Sequence, residues 1–96
     1  MKPSSSLELN RGAVRAIVES HHARNARVFG SVLKGGDTDT SDLDILVEPT
    51  HDMTLFDLEA MRQELSELLG VPVDVATPNA LPDRTRDAVL AEARPI

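Results

Sequence analysis

The stretch Val28-Phe29-Gly30-Ser31, followed after ten residues by Asp42-Leu43-Asp44-Ile45-Leu46-Val47, decides how this chain reads. Apolar residues lead up to Gly30, the pattern of a strand that stops at a glycine. Gly30 permits close backbone approach, and Ser31 presents an N–H and a hydroxyl at a helix start, so the pair can hold phosphate oxygens. In the second stretch Leu43, Ile45 and Val47 fall on one face, while Asp42, Asp44 and Leu46 fall on the other. Two carboxylates at alternate positions of one strand can share a divalent cation. A phosphate cradle and a metal dyad separated by one loop point to chemistry on a nucleoside triphosphate.

Working outward, Val32-Leu33-Lys34 reads as a brief helical turn closed by Gly35-Gly36, and Asp37-Thr38-Asp39-Thr40-Ser41 as a polar loop. Upstream, residues 1–6 read as a flexible N-terminus. Ser5 and Glu8 offer a capping box to a helix over 7–21, with Leu9, Ala13, Ala16 and Ile17 as its apolar stripe. Downstream, Thr54 and Asp57 repeat the capping pattern and open a helix to Leu69. Its stripe is Leu55, Leu58, Met61, Leu65, Leu68 and Leu69, and Gly70 suits its C-terminal cap. Pro72 to Ala76 predicts a third strand, with Val73 and Val75 on one face and Asp74 on the other. Pro82 opens a last helix to Ala93, with Val89 and Leu90 as core residues.

The order is α-β-α-β-α-β-α, which predicts an α/β (α+β) fold in a single domain over 7–96. The second and third strands, joined by a helix, form a right-handed parallel β-α-β unit. The first two strands must be antiparallel if Gly30-Ser31 and Asp42 serve one site. The expectation is a small mixed three-stranded sheet, helices on its aliphatic face and carboxylates on the open one.

Composition narrows the function. A chain of 96 residues holds one compact domain, with no room for a second substrate-binding module. With two Phe, no Tyr and no Trp, the core is aliphatic and there are no stacking platforms for single-stranded nucleic acid. A net charge of -6 argues against direct nucleic-acid binding, which relies on clustered Lys and Arg. The absence of cysteine excludes thiolate metal sites and fits a cytoplasmic protein. No apolar run approaches the roughly 20 residues of a membrane span.

Asp42, Asp44 and Asp74 are each the polar exception on an apolar strand. Three acids on one small sheet repel one another unless a cation neutralises them, and Mg²⁺ favours carboxylates together with substrate phosphates. In a two-ion arrangement, Asp42 and Asp44 are read as ligands bridging to the nucleotide. Asp74 is read as a ligand of the second ion and acceptor of the nucleophile's proton.

These motifs resemble the signature of the DNA polymerase β-like nucleotidyltransferase superfamily. The short length, Leu69-Gly70-Val71-Pro72-Val73-Asp74-Val75 and Ala91-Glu92-Ala93 resemble its minimal nucleotidyltransferase branch. The resemblance implies the polymerase β-like fold, with Gly30, Ser31, Asp42, Asp44 and Asp74 as phosphate and metal residues and ATP as substrate. It also implies an antitoxin that transfers AMP from ATP to a tyrosine of a HEPN-family ribonuclease toxin, in a hetero-oligomer with it. Where members often read Gly-Ser-Arg-x-Arg-Gly, this chain has Val32 and Lys34. Lys34 supplies a point charge for phosphate and Val32 does not, so a non-catalytic antitoxin that neutralises by contact is the alternative reading. A small-molecule nucleotidyltransferase of the aminoglycoside type is a third. His21-His22, His51, Asp37, Asp39, Arg84 and Arg86 read as capping or surface groups.

Overall fold

Two β-prone runs form the central pair of the sheet. In the computed structural model, which describes residues 1–30, 32, 33 and 35–96, β1 (Ala23–Phe29) runs antiparallel to β2 (Leu43–Pro49). Helix α3 (Leu55–Leu69) then crosses over to β3 (Val73–Ala76), which lies parallel to β2. A two-residue strand, β4 (Arg94–Pro95), closes the other side of β1, giving the order β3-β2-β1-β4. The mixed α+β architecture matches expectation, but the sheet has four strands rather than three. Two residues cannot display a period-2 pattern, so β4 is invisible before its pairing with Arg27 and Val28 is known.

Helix α3 is where local sequence and structure agree most closely. Thr54 accepts the Asp57 N–H, Asp57 accepts the Thr54 N–H in return, and Gly70 ends the helix with φ +69°. Met61, Leu65 and Leu69 are buried, but Leu55 is 82% exposed and Leu68 lies at the margin. The stripe is therefore narrower than its leucines suggest.

The N-terminal region differs more. Instead of one helix over 7–21 there are two, α1 (Pro3–Leu9) and α2 (Arg11–Ser20). Asn10 separates them. Its N–H closes α1 on Leu7, its carbonyl accepts from Val14 in α2, and its side chain donates to Ser6. Asparagine competes with the helical backbone in this way, and the break resets the helical phase. The buried stripe of α2 is accordingly Val14 and Val18, while Leu9, Ala13 and Ala16 are exposed. Glu8 pairs with Arg11 rather than closing a capping box with Ser5. Pro3–Ser6 forms a helical turn in which Pro3 and Ser6 are buried.

The core lies between one sheet face and the helices, built from Val28, Leu43, Ile45, Val47 and Val73 against Val14, Val18, Met61 and Leu65. The opposite face is only partly open. Leu46 is fully buried there, and the 3₁₀ turn Pro78–Ala80 touches its strand, β2. Helix α4 (Asp83–Glu92) follows. It buries no residue completely, so Val89 and Leu90 are half-buried rather than core. No helix among the described residues is long and apolar enough to cross a membrane.

Candidate active site

One rung of the sheet carries the candidate site. Phe29, the last residue of β1, pairs with Asp44, and Asp44 pairs with Asp74. Residues in register across a sheet share a face, and Leu43, Ile45 and Val73 occupy the core face. Asp44 and Asp74 therefore stand side by side on the other face, on backbones about 4.8 Å apart. Asp42 precedes β2 at the next position of the same alternation. The Leu43 N–H, donated to the Pro72 carbonyl at 2.9 Å, carries the β2–β3 pairing up to this point.

Gly30 turns the chain at the end of β1 with φ +80°, a conformation that favours glycine. A Cβ at Gly30 would also collide with Oδ2 of Asp44. The glycine is thus required twice, once for the turn and once because the carboxylate lies against its Cα.

The electrostatics follow from this crowding. Asp44 is half-buried, and burial raises its carboxyl above the ordinary range. The charges of Asp74 and then Asp42 raise it further. Asp44 therefore feels both of the other acids. An all-carboxylate donor set under mutual repulsion suits a hard divalent cation such as Mg²⁺. Among the described residues no three such side chains are gathered tightly enough to chelate an ion alone. They fit an ion that completes its shell with substrate phosphate and water, the usual habit of Mg²⁺.

Two sequence-derived candidates, Ser31 and Lys34, lie outside the described residues. Val32 and Leu33 between them are half-buried and pack against the core, so the Val32 side chain serves the fold. Asp37, read as a solvated loop acid, is buried, and its Oδ2 accepts the Ser4 N–H at 2.9 Å. Arg27 was not singled out by sequence. It alternates with Ala26 and Val28 onto the site face, where one Nη lies 3.5 Å from Glu48 and the buried Nε has no partner among the described residues. Alternation marks Arg27 as outward, but nothing local marks it as enclosed.

The remaining polar groups belong to the scaffold. His22 Nδ1 lies 3.1 Å from Asp57, and His21 contacts both Asp57 and Glu64, so this pair joins α2 to α3. Arg86 donates to the carbonyls of Pro78, Asn79 and Leu81 and fastens α4 to the turn before it. A cavity of about 150 Å³ between Arg15, Asn25 and Ile96 is lined by none of the acids.

Comparison with known proteins agrees with this fold. The family model described as a nucleotidyltransferase domain matches residues 12–96. A Methanocaldococcus jannaschii protein, provisionally named a protein adenylyltransferase, is 40% identical over 77 residues, covering 80% of this chain and 83% of its own. A second from the same organism, named likewise, is 32% identical over 82 residues, covering 84% of each. Among solved structures, one described provisionally as a minimal nucleotidyltransferase superposes with a TM-score of 0.87 at 40% identity, covering 97% of this chain and 95% of that one. A chain of a toxin-antitoxin crystal structure with AMP-PNP superposes with a TM-score of 0.76 at 18% identity, covering 90% and 71%, and shares the fold. The rung of Gly30, Asp44 and Asp74 thus sits in a chain that belongs to the nucleotidyltransferase domain family.

Proposed function

We propose that this chain transfers AMP from ATP to a hydroxyl of a partner protein, a tyrosine of a HEPN-family toxin, and acts as that toxin's antitoxin. The observation that carries the reading is the crowded rung, where Asp44 lies against the Cα of Gly30 and is pressed upon by Asp74 and Asp42. Such a cluster is costly unless it works on a cation-bearing phosphate substrate. The names of the Methanocaldococcus relatives support the adenylyl group and the protein acceptor, and the toxin-antitoxin fold neighbour supports the partner.

In this reading Asp42 and Asp44 hold Mg²⁺, with Asp74 completing a two-ion set. When bound, the metal neutralises phosphate charge and lowers the pKa of an attacking hydroxyl. Gly30 lets the backbone come within hydrogen-bonding reach of phosphate oxygens, and Ser31 and Lys34 are assigned as further phosphate donors. The hydroxyl oxygen attacks the α-phosphorus. An O–P bond forms, the bond to pyrophosphate breaks, and Asp74 accepts the hydroxyl proton. In this reading the partner delivers the hydroxyl to the acid face beside Gly30.

The packing of Val32 against the core favours one second reading. No side chain at that position grips the triphosphate, so the chain would neutralise its partner by contact alone. Intact-mass spectrometry separates the two. Incubation with a HEPN-family toxin, ATP and Mg²⁺ is expected to add AMP to the toxin, and Asp44→Ala to remove both the adduct and the protection. Full protection by Asp44→Ala with no adduct on the toxin would contradict transfer.

A further inference from the structure

We propose that α1 is a strap holding the two halves of the candidate site in register, with Asp37 and Ser6 as positioning residues. This rests on the nucleotidyltransferase reading for its consequence, though not for its geometry.

Asp37 lies in the polar loop between Gly30 and Asp42, yet it is buried. Its Oδ2 takes the Ser4 N–H at 2.9 Å, in the first turn of α1, where N–H groups have no partner within the helix. That bond holds the Asp37 carboxyl below the ordinary range, so the contact is made by a carboxylate. One turn edge further, the buried Ser6 hydroxyl donates to the Leu69 carbonyl at 2.7 Å. Leu69 ends α3, and the chain turns from it through Gly70 into β3, which carries Asp74. The Val73 N–H is held in turn by the Ser66 hydroxyl at 3.1 Å.

A seven-residue helix is too short to persist alone. It is held by Pro3 and Leu7 in the core and by these two polar ties. One tie grips the loop that leads from Gly30 to Asp42, and the other grips the approach to Asp74. Among the described residues the loop's backbone bonds are Gly35 N–H to Val32 at 3.2 Å and Ser41 N–H to Thr38 at 3.0 Å, and Asp37 lies between them. Val32 and Leu33 anchor the start of the loop on the core, and the Asp37 contact ties its middle to α1, which the Ser6 bond ties in turn to the approach to β3. Small misplacements of binding groups are costly to affinity and rate, which gives the strap its effect on nucleotide.

The test uses the full ¹⁵N-labelled chain and AMP-PNP with Mg²⁺ as the probe. Asp37→Ala is expected to speed amide exchange at Ser4, Gly35 and Ser41 while leaving α3 core amides such as Leu65 unchanged. It is also expected to weaken AMP-PNP binding about five- to tenfold. Asp37→Asn keeps a carbonyl oxygen for the Ser4 N–H and should recover most of that loss, and Ser6→Ala should weaken binding by a similar factor. Wild-type exchange at Gly35 and Ser41 in Asp37→Ala, or unchanged affinity, overturns the strap. So does uniform acceleration that includes α3 with no rescue by Asn, which is the signature of simple destabilisation. Should Asp37→Ala fail to fold, Ser6→Ala decides, with wild-type affinity overturning the proposal. Failure of the wild-type chain to bind AMP-PNP counts against the nucleotidyltransferase reading, while the exchange data still judge the strap.

Discussion

The Asp44 carboxylate fills the space that a side chain at Gly30 would need, and the consequences can be measured one residue at a time. Gly30→Ala must place a methyl against the Asp44 carboxylate in a backbone conformation that disfavours any side chain. We expect it to lower stability by about 1–3 kcal/mol in urea unfolding. By displacing Asp44, it should reduce transfer about a hundredfold. Asp44 carries a pKa above that of the same residue in the unfolded chain, so the folded state binds this proton more tightly. Ionising Asp44 therefore opposes folding. The opposition is absent below the ordinary carboxylate range and grows as pH rises from there through the raised value. Asp44→Asn, neutral throughout, is expected to melt above the wild type at pH 7 without metal, and the gap should close in acid. Circular-dichroism melts across pH would show it, and a gap that widens in acid would reverse the sign. Asp37 and Asp57 run the other way. Their pKa values are lowered, chiefly by the backbone N–H groups of Ser4 and Thr54, so their stabilisation is present above the ordinary range and fades as pH falls through the lowered values.

Among the elements, α3 shows how unevenly a helix contributes. Leu65→Ala removes a fully buried side chain from the seam with the sheet and should cost about 2–5 kcal/mol. Phe56→Ser, nine residues earlier on the same helix, should stay within about 0.5 kcal/mol, because Phe56 is 86% exposed. Thr54→Ala removes the hydroxyl that accepts the Asp57 N–H, while the backbone N–H at 54 keeps its bond to the Asp57 carboxylate, and should cost about 1 kcal/mol. Denaturant midpoints rank the three, and a Phe56→Ser cost comparable to Leu65→Ala would contradict the packing described. The sequence showed the caps of α3 because a capping box is written within four consecutive residues. It did not show which leucines are covered, since Leu55 and Leu68 satisfy the helical period as well as Leu65 does. The break at Asn10 was hidden for a related reason. Asparagine is tolerated within helices, and here it ends one because Pro3, Ser6 and Leu7 are held elsewhere in the fold.

For the whole molecule, the acid face predicts linkage between folding and ligand. Mg²⁺ with ATP should raise the melting temperature, since a ligand at a hundred times its Kd stabilises the folded state by about 2.7 kcal/mol. The double variant Asp42→Asn with Asp44→Asn should lose that rise while remaining folded. A thermal shift that persists undiminished in the double variant would remove these residues from the site.

Alternation, capping boxes and the spacing of Gly30-Ser31 to Asp42-x-Asp44 are properties of neighbouring residues. They were enough to determine the strands β1 to β3, helix α3, the mixed fold and the two faces of the acid-bearing strands. The antiparallel order of β1 and β2 also followed, because a shared site for Gly30 and Asp42 leaves no other arrangement. Only the tertiary structure decided the rest. The Cα of Gly30 lies beneath the Asp44 carboxylate because register pairs Phe29 with Asp44, and register depends on how the whole sheet packs. Leu46 is buried on the nominally open face, on a strand that a turn more than thirty residues later touches. Strand β4 exists because the chain after α4 reaches β1, and Asp37 is buried because the N-terminal helix reaches back to it. Each of these contacts joins residues far apart in the chain, so no local period could have announced it.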